Sequence, residues 1–273
     1  MLKSICFKNL FCLLLCCFFC SKIAAQTTKD NSKDLELWTK FNIEYQLKGG
    51  SFLFAETNLR YSTSPFSKNI HILPVVRLQQ MVGYDQYLDK NWSVGLSLRY
   101  VWEKPVSRVF SRVYASHLSI VKGYEIQKGI SFERIDSENK FLDTESRVSL
   151  FLGLSKNFNL KGKTKLRPTI SYQVFMNHKW VLSQNPIYST RSIDMGRLSI
   201  ELAYLFNPKW SISLYFIDQT EYFWVLANFD SMGNQIDPDQ NLNTTTPIIG
   251  CRLYCRLLNS KVSDKIRTRF LPF

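Results

Sequence analysis

NWSVGLSLRYVW, residues 91–102, alternates almost without a fault. Trp92, Val94, Leu96, Leu98, Tyr100 and Trp102 share one parity, and Asn91, Ser93, Gly95, Ser97 and Arg99 the other. In a strand these two sets point to opposite faces, so one face is apolar with aromatics at its ends and the other small and polar. The pattern recurs outward from here. In 35–47, Leu37, Phe41, Ile43 and Tyr45 oppose Glu36, Lys40, Asn42 and Glu44; in 51–61, Leu53, Ala55, Leu59 and Tyr61 oppose Glu56, Asn58 and Arg60. In 72–87, Val76, Leu78, Val82 and Tyr84 oppose Arg77, Gln79 and Asp85. Segments 146–156, 166–177, 194–206, 210–221 and 247–257 repeat it, and two weaker ones, 111–121 and 128–137, slip in phase.

A soluble β-sandwich also alternates, but three features oppose it. The segments run for about 10–14 residues, the length a tilted strand needs to cross a bilayer, where globular strands average about five or six. Nearly every polar face carries arginine or a carboxylate. Aromatics gather at segment ends: Tyr61, Tyr84, Tyr87, Trp92, Tyr100, Trp102, Tyr204, Phe206, Trp210, Tyr222 and Trp224, as in interfacial girdles. The links alternate between compact turns such as LDKNW and NPKW and longer polar stretches near 62–71, 104–110, 138–144, 178–193 and 223–244. The fold class is therefore all-β, a transmembrane antiparallel up-and-down barrel. Eleven segments are visible. Single-chain bacterial barrels have even strand numbers, so a further strand within 222–240 is expected, giving about 12, with 10 the alternative.

The first residues carry Lys3 and Lys8, then the apolar run LFCLLLCCFFC (10–20), then SKIAAQ with Ala25 as a small residue before a cut. That is the layout of a secretory signal peptide over 1–25, leaving a single barrel domain over 26–273 with a C-terminal tail at 260–273. Phe18 and Phe19, ahead of Cys20, argue against lipid attachment there. Five of the seven cysteines lie in the leader; Cys251 and Cys255 remain. On one face of a strand, four positions apart, they stand about 13 Å from one another, too far for a disulfide. The net charge of +13 falls to +10 without Lys3, Lys8 and Lys22. Its arginines are spread one or two per segment rather than clustered among stacking aromatics, which excludes nucleic acid as a partner.

DLELWTKFNIEYQL, FAETNLRY, VRLQQMVGYDQYLDKNWSVGLSLRY and ISFERID together resemble an uncharacterised outer-membrane β-barrel family of Gram-negative bacteria. The marks are Trp38, Glu56 with Arg60, the short turn followed by an aromatic, and Glu133 with Arg134. The resemblance implies the outer membrane and the barrel, and lends no activity.

Parity turns Arg60, Arg77, Arg99, Arg147, Arg167, Arg197, Arg252 and Arg256 inward, with Glu56, Asp85, Glu103, Glu145, Glu201 and Glu221. Two readings follow. Rings of arginine favour anions, making a small channel for anionic or polar solutes. Alternatively, arginine forks satisfy the carboxylates and plug a narrow barrel, which then serves as a non-conducting structural or assembly partner of an envelope protein. A closed barrel in lipid is expected to be a monomer. SHLS (116–119) resembles the His-x-Ser of outer-membrane lipid hydrolases, yet Ile120 stands where those families carry a polar residue. Taking Leu118 and Ile120 as lipid-facing turns His117 and Ser119 inward, away from acyl chains. No catalytic residue is assigned, and no cofactor or metal is expected: His71, His117 and His178 are scattered, and Asp230, Asp237 and Asp239 lack calcium-loop spacing.

Overall fold

A computed structural model describes residues 28–47, 50–63, 75–103, 106–138, 144–160, 162, 164–178, 193–225, 228–229, 232, 235–237 and 240–257. The expected leader, 1–25, and the tail, 260–273, lie outside them. Each alternating segment forms a strand: β1 (Glu36–Gln46), β2 (Ser51–Ser62), β3 (Val75–Tyr87), β4 (Trp92–Trp102), β5 (Arg108–Val121) and β6 (Tyr124–Ser137). They continue as β7 (Glu145–Lys156), β8 (Lys165–His178), β9 (Met195–Leu205), β10 (Trp210–Val225) and β11 (Gln240–Leu257). Successive strands pair antiparallel, and β11 closes the ring on β1. The barrel therefore has eleven strands.

An odd ring cannot close antiparallel. Ile248 to Leu257 of β11 run beside Glu36 to Tyr45 of β1 in the same direction. A short strand, Thr28–Ser32, continues the parallel seam along Asn241 to Thr245. This corrects the even count. The segments visible in the sequence are the strands of the ring, and the described residues of 222–240 add no further one to it. Instead β10 and β11 extend into that stretch and pair from Val225↔Gln240 downward, while Asn228–Phe229 and Gln235–Asp237 make a separate small ladder.

Turn chemistry fixes the short-turn end. Lys122 and Gly123, both at positive φ, form the two-residue hairpin between β5 and β6 whose twist matches its strands. In LDKNW the Asp89 carboxylate accepts the Asn91 and Trp92 amides at 2.5 and 2.7 Å. In FNPKW the Asn207 side-chain oxygen accepts those of Lys209 and Trp210 at 2.8 and 3.0 Å. The same Asx device thus starts β4 and β10, each on a tryptophan.

The apolar parity faces outward: Leu96, Leu98, Ile130, Leu152, Ile200 and Leu214 are all exposed. Trp92, Tyr124, Trp210 and Phe206 edge this belt at the short-turn end, and Tyr100 and Trp102 at the other. Tyr87 departs from the girdle and turns inward, edge-on to Phe52. Nothing in water covers so broad an apolar surface. In hydrocarbon it needs no cover, provided every backbone group is paired within the sheet, as closure ensures. Cys251 and Cys255 are free.

The parallel seam puts the start of β1 and the end of β11 at opposite mouths. In a Cys251→Ser, Cys255→Ser background, single cysteines at Lys33 and Glu138 should react with an impermeant maleimide from one side of oriented proteoliposomes. One at Leu257 should react from the other. Labelling of positions 33 and 257 from the same side would disprove the odd ring.

Candidate functional site

The polar parity fills the lumen. Arg60, Arg167, Arg197, Arg252 and Arg256 are buried there with Glu56, Asp85 and Glu201. Arg99 and Arg147 also turn inward, each over the buried Phe110 ring. Glu103, just past β4, holds Arg77 at 2.5 Å at the long-loop mouth, and Glu145 begins β7 at that mouth, paired with Ile135. The inward set read from parity is thus brought together in one interior.

Toward the short-turn end and the middle, two arginines and three carboxylates have close partners. Arg256 Nε donates to Glu44 at 2.6 Å, and the Tyr254 hydroxyl donates to the same carboxylate. Arg252 meets Glu201 at 3.2 Å. Asn42 Nδ2 donates to Glu56 at 2.8 Å. Two inward glycines admit aromatic rings: a Cβ on Gly250 would overlap the Tyr215 ring, and one on Gly95 the Tyr114 ring.

The long-loop end is different. A few residues inside it, guanidiniums pack against aromatic rings of the wall. Arg60 lies 3.7 Å over the Trp38 ring, with Arg197 at 5.9 Å from the same centroid. Arg197 and Arg147 share Phe175 at 4.9 and 4.6 Å. Arg147 and Arg99 share Phe110 at 5.4 and 4.1 Å. Each ring offers its electron-rich face to two cations, a contact worth about 2 kcal/mol or more when desolvated. Arg77 completes the collar beside Arg60, its register partner. Glu133 is the collar's buried carboxylate. It meets Arg147 at 2.5 Å, Arg99 at 3.2 Å and Arg112 at 3.9 Å. Arg197 Nε donates to Gln219 at 2.7 Å, and the Trp38 indole N–H donates to Glu36 at 2.7 Å.

Sequence reasoning missed Arg112, Glu133 and the collar's rings as lumen residues. A signal was present: Phe110, Arg112, Tyr114 and Ser116 share a parity. Large aromatics on the polar face blurred it, and reading Leu118 and Ile120 as lipid-facing inverted the phase of the strand. The same error misplaced His117 and Ser119. Ser116 pairs with Ser93, their hydroxyls 2.7 Å apart inside, and His117 pairs with the lipid-facing Trp92, ring centroids 4.7 Å apart. His117 and Ser119 therefore face outward, not into the lumen. Ser119 Oγ lies 3.3 Å from Nδ1 of His117, whereas a triad uses Nε2 for serine and leaves Nδ1 to an orienting acid. The residue beside His117 on β6 is Lys128, which cannot play that part. Asp230 and Asp239 lie outside the described residues.

Glu133 is 3% exposed and is the negative charge that Arg99, Arg112 and Arg147 share, so its loss leaves all three without it. Glu133→Gln should lower folding stability by about 3–5 kcal/mol, read as a fall in urea midpoint in micelles. A change below about 0.5 kcal/mol would show that the carboxylate does not hold the collar.

No family model matches the chain, and no curated protein matches it. Among solved structures, a NanC porin is similar over 79% of this chain and 91% of its own, at 10% identity and a TM-score of 0.39.

Proposed function

We propose that this is a monomeric outer-membrane barrel that passes small anionic solutes through an arginine-lined lumen closed at rest by its own side chains. The observation that carries this reading is the collar. Arg60, Arg77, Arg99, Arg147 and Arg197 circle the long-loop mouth, with Glu133 the carboxylate buried among them. An array of this kind raises local anion concentration and opposes cations. Below it Arg112, Arg252 and Arg256 continue the guanidinium series toward the other end, within reach of side-chain motion alone. The apolar belt and the leader-like first residues support the outer membrane as location. The closed ring supports a monomer, since it leaves no strand edge for a partner.

One observation favours a second reading, a non-conducting structural barrel. The interior charges are withdrawn from water, Arg256 at 2% and Asp85 at 1% exposure. Planar-bilayer recording separates the two. The first expects small unitary conductance with a reversal potential shifted toward chloride in a salt gradient, and a weaker anion preference when Arg77, Arg99 and Arg197 become alanine. Folded protein that conducts nothing leaves the second.

A further inference from the structure

Arg60 stands apart within the collar. Arg77 has Glu103, Arg99 and Arg147 share Glu133, and Arg197 has Gln219. Arg60 is 7% exposed and stacks on Trp38, yet it has no ion pair or hydrogen bond among the described residues, and its Nε is buried without a partner. Arg77 is its register partner and Arg197 shares the Trp38 ring with it, both positive. Two residues along the same face, Asn58 is 1% exposed, and neither its Oδ1 nor its Nδ2 has a partner. Register sets Arg60 beside Trp38 and Arg77, and Asn58 beside Lys40 and Gln79.

Stacking answers the guanidinium's face but not its N–H edge, and it supplies no counter-charge. A buried cation with two cations beside it and no ion pair is tolerated only if something negative meets it. A buried amide with both ends unmatched, one step away, marks the same spot as built for a hydrogen-bonding guest. Held 3.7 Å over the indole, the guanidinium keeps its N–H fork available to two oxygens of one planar or tetrahedral anion.

We infer that Arg60 and Asn58, backed by Trp38, form a binding site for a small oxyanion, carboxylate or phosphate, just inside the long-loop mouth. Arg60 grips two of its oxygens, and Asn58 Nδ2 donates to one of these in a carboxylate or to a third oxygen in phosphate. The site deepens the anion-channel reading and rests on it only for the route by which the ligand arrives.

The test uses the full mature chain folded in detergent micelles, titrated calorimetrically with sodium acetate, inorganic phosphate and, as the unforked control, sodium chloride at matched ionic strength. Saturable binding of acetate or phosphate but not chloride is expected, and whichever binds names the oxyanion. Arg60→Lys keeps the charge but loses the fork, and should weaken binding about tenfold or more, with Asn58→Ala in the same direction. Arg134→Ala, on the outer face, should change nothing. Without added anion, Arg60→Met should raise the melting temperature, since it removes a buried unmatched charge. An unchanged or lower melting temperature, or failure of that variant to fold, makes Arg60 a structural stack on Trp38 and overturns the proposal. So does the absence of saturable binding, or binding unaffected by Arg60→Lys. Arg60-dependent binding without conductance sinks the channel and spares the site; conductance without binding does the reverse.

Discussion

In hydrocarbon an unpaired backbone amide or carbonyl has no water to turn to, and every other feature of this chain follows from that constraint. Eleven strands meet it by joining first to last in the parallel sense, Glu36 to Tyr45 beside Ile248 to Leu257. Once the ring is closed, side chains sort by solvent rather than by the usual rule. Leu98, Leu152 and Leu214 go to lipid. Arginine, glutamate, serine and asparagine go to the interior and become the core.

That inverted core must still be packed and neutralised. Matched pairs manage this at the short-turn end, where Glu44 takes Arg256 and Tyr254 together. At the collar carboxylates are too few, and aromatic faces take over as the partners of guanidinium. Phe110, Phe175 and Trp38 each stand between two arginines. Ring and carboxylate are not equivalent substitutes. A carboxylate cancels the charge, whereas a ring only accommodates it, so an arginine held on a ring keeps its positive charge uncancelled.

Period-2 alternation made the strands, their inner and outer faces and the arginine set legible from residues alone, because lipid and lumen impose opposite demands on adjacent positions. Where both faces carry large side chains the signal failed. Phe110 and Tyr114 look outward by size and point inward in fact, so β5 lost its phase and His117 was turned the wrong way. The strand count failed for another reason. A rule about the parity of whole barrels overrode segments that were each visible, and the parallel seam leaves no local mark, since pairing sense depends on a strand more than two hundred residues away. Partners inside the collar were also hidden: parity says that Arg60 and Arg99 share an interior, but not that one meets a carboxylate and the other an indole.

The seam has a further consequence, for the order of folding. Hairpins such as Val121 to Tyr124 join neighbours in sequence and can form as soon as their strands exist. The bond between β1 and β11 unites the most distant strands of the ring and carries the greatest loop-closure entropy. Until the last strand arrives, β1 presents an open row of backbone donors and acceptors beside an apolar face, the combination that invites pairing with other chains. The barrel's most exposed moment is thus fixed by its topology, and the last strand to be made is the one that ends it.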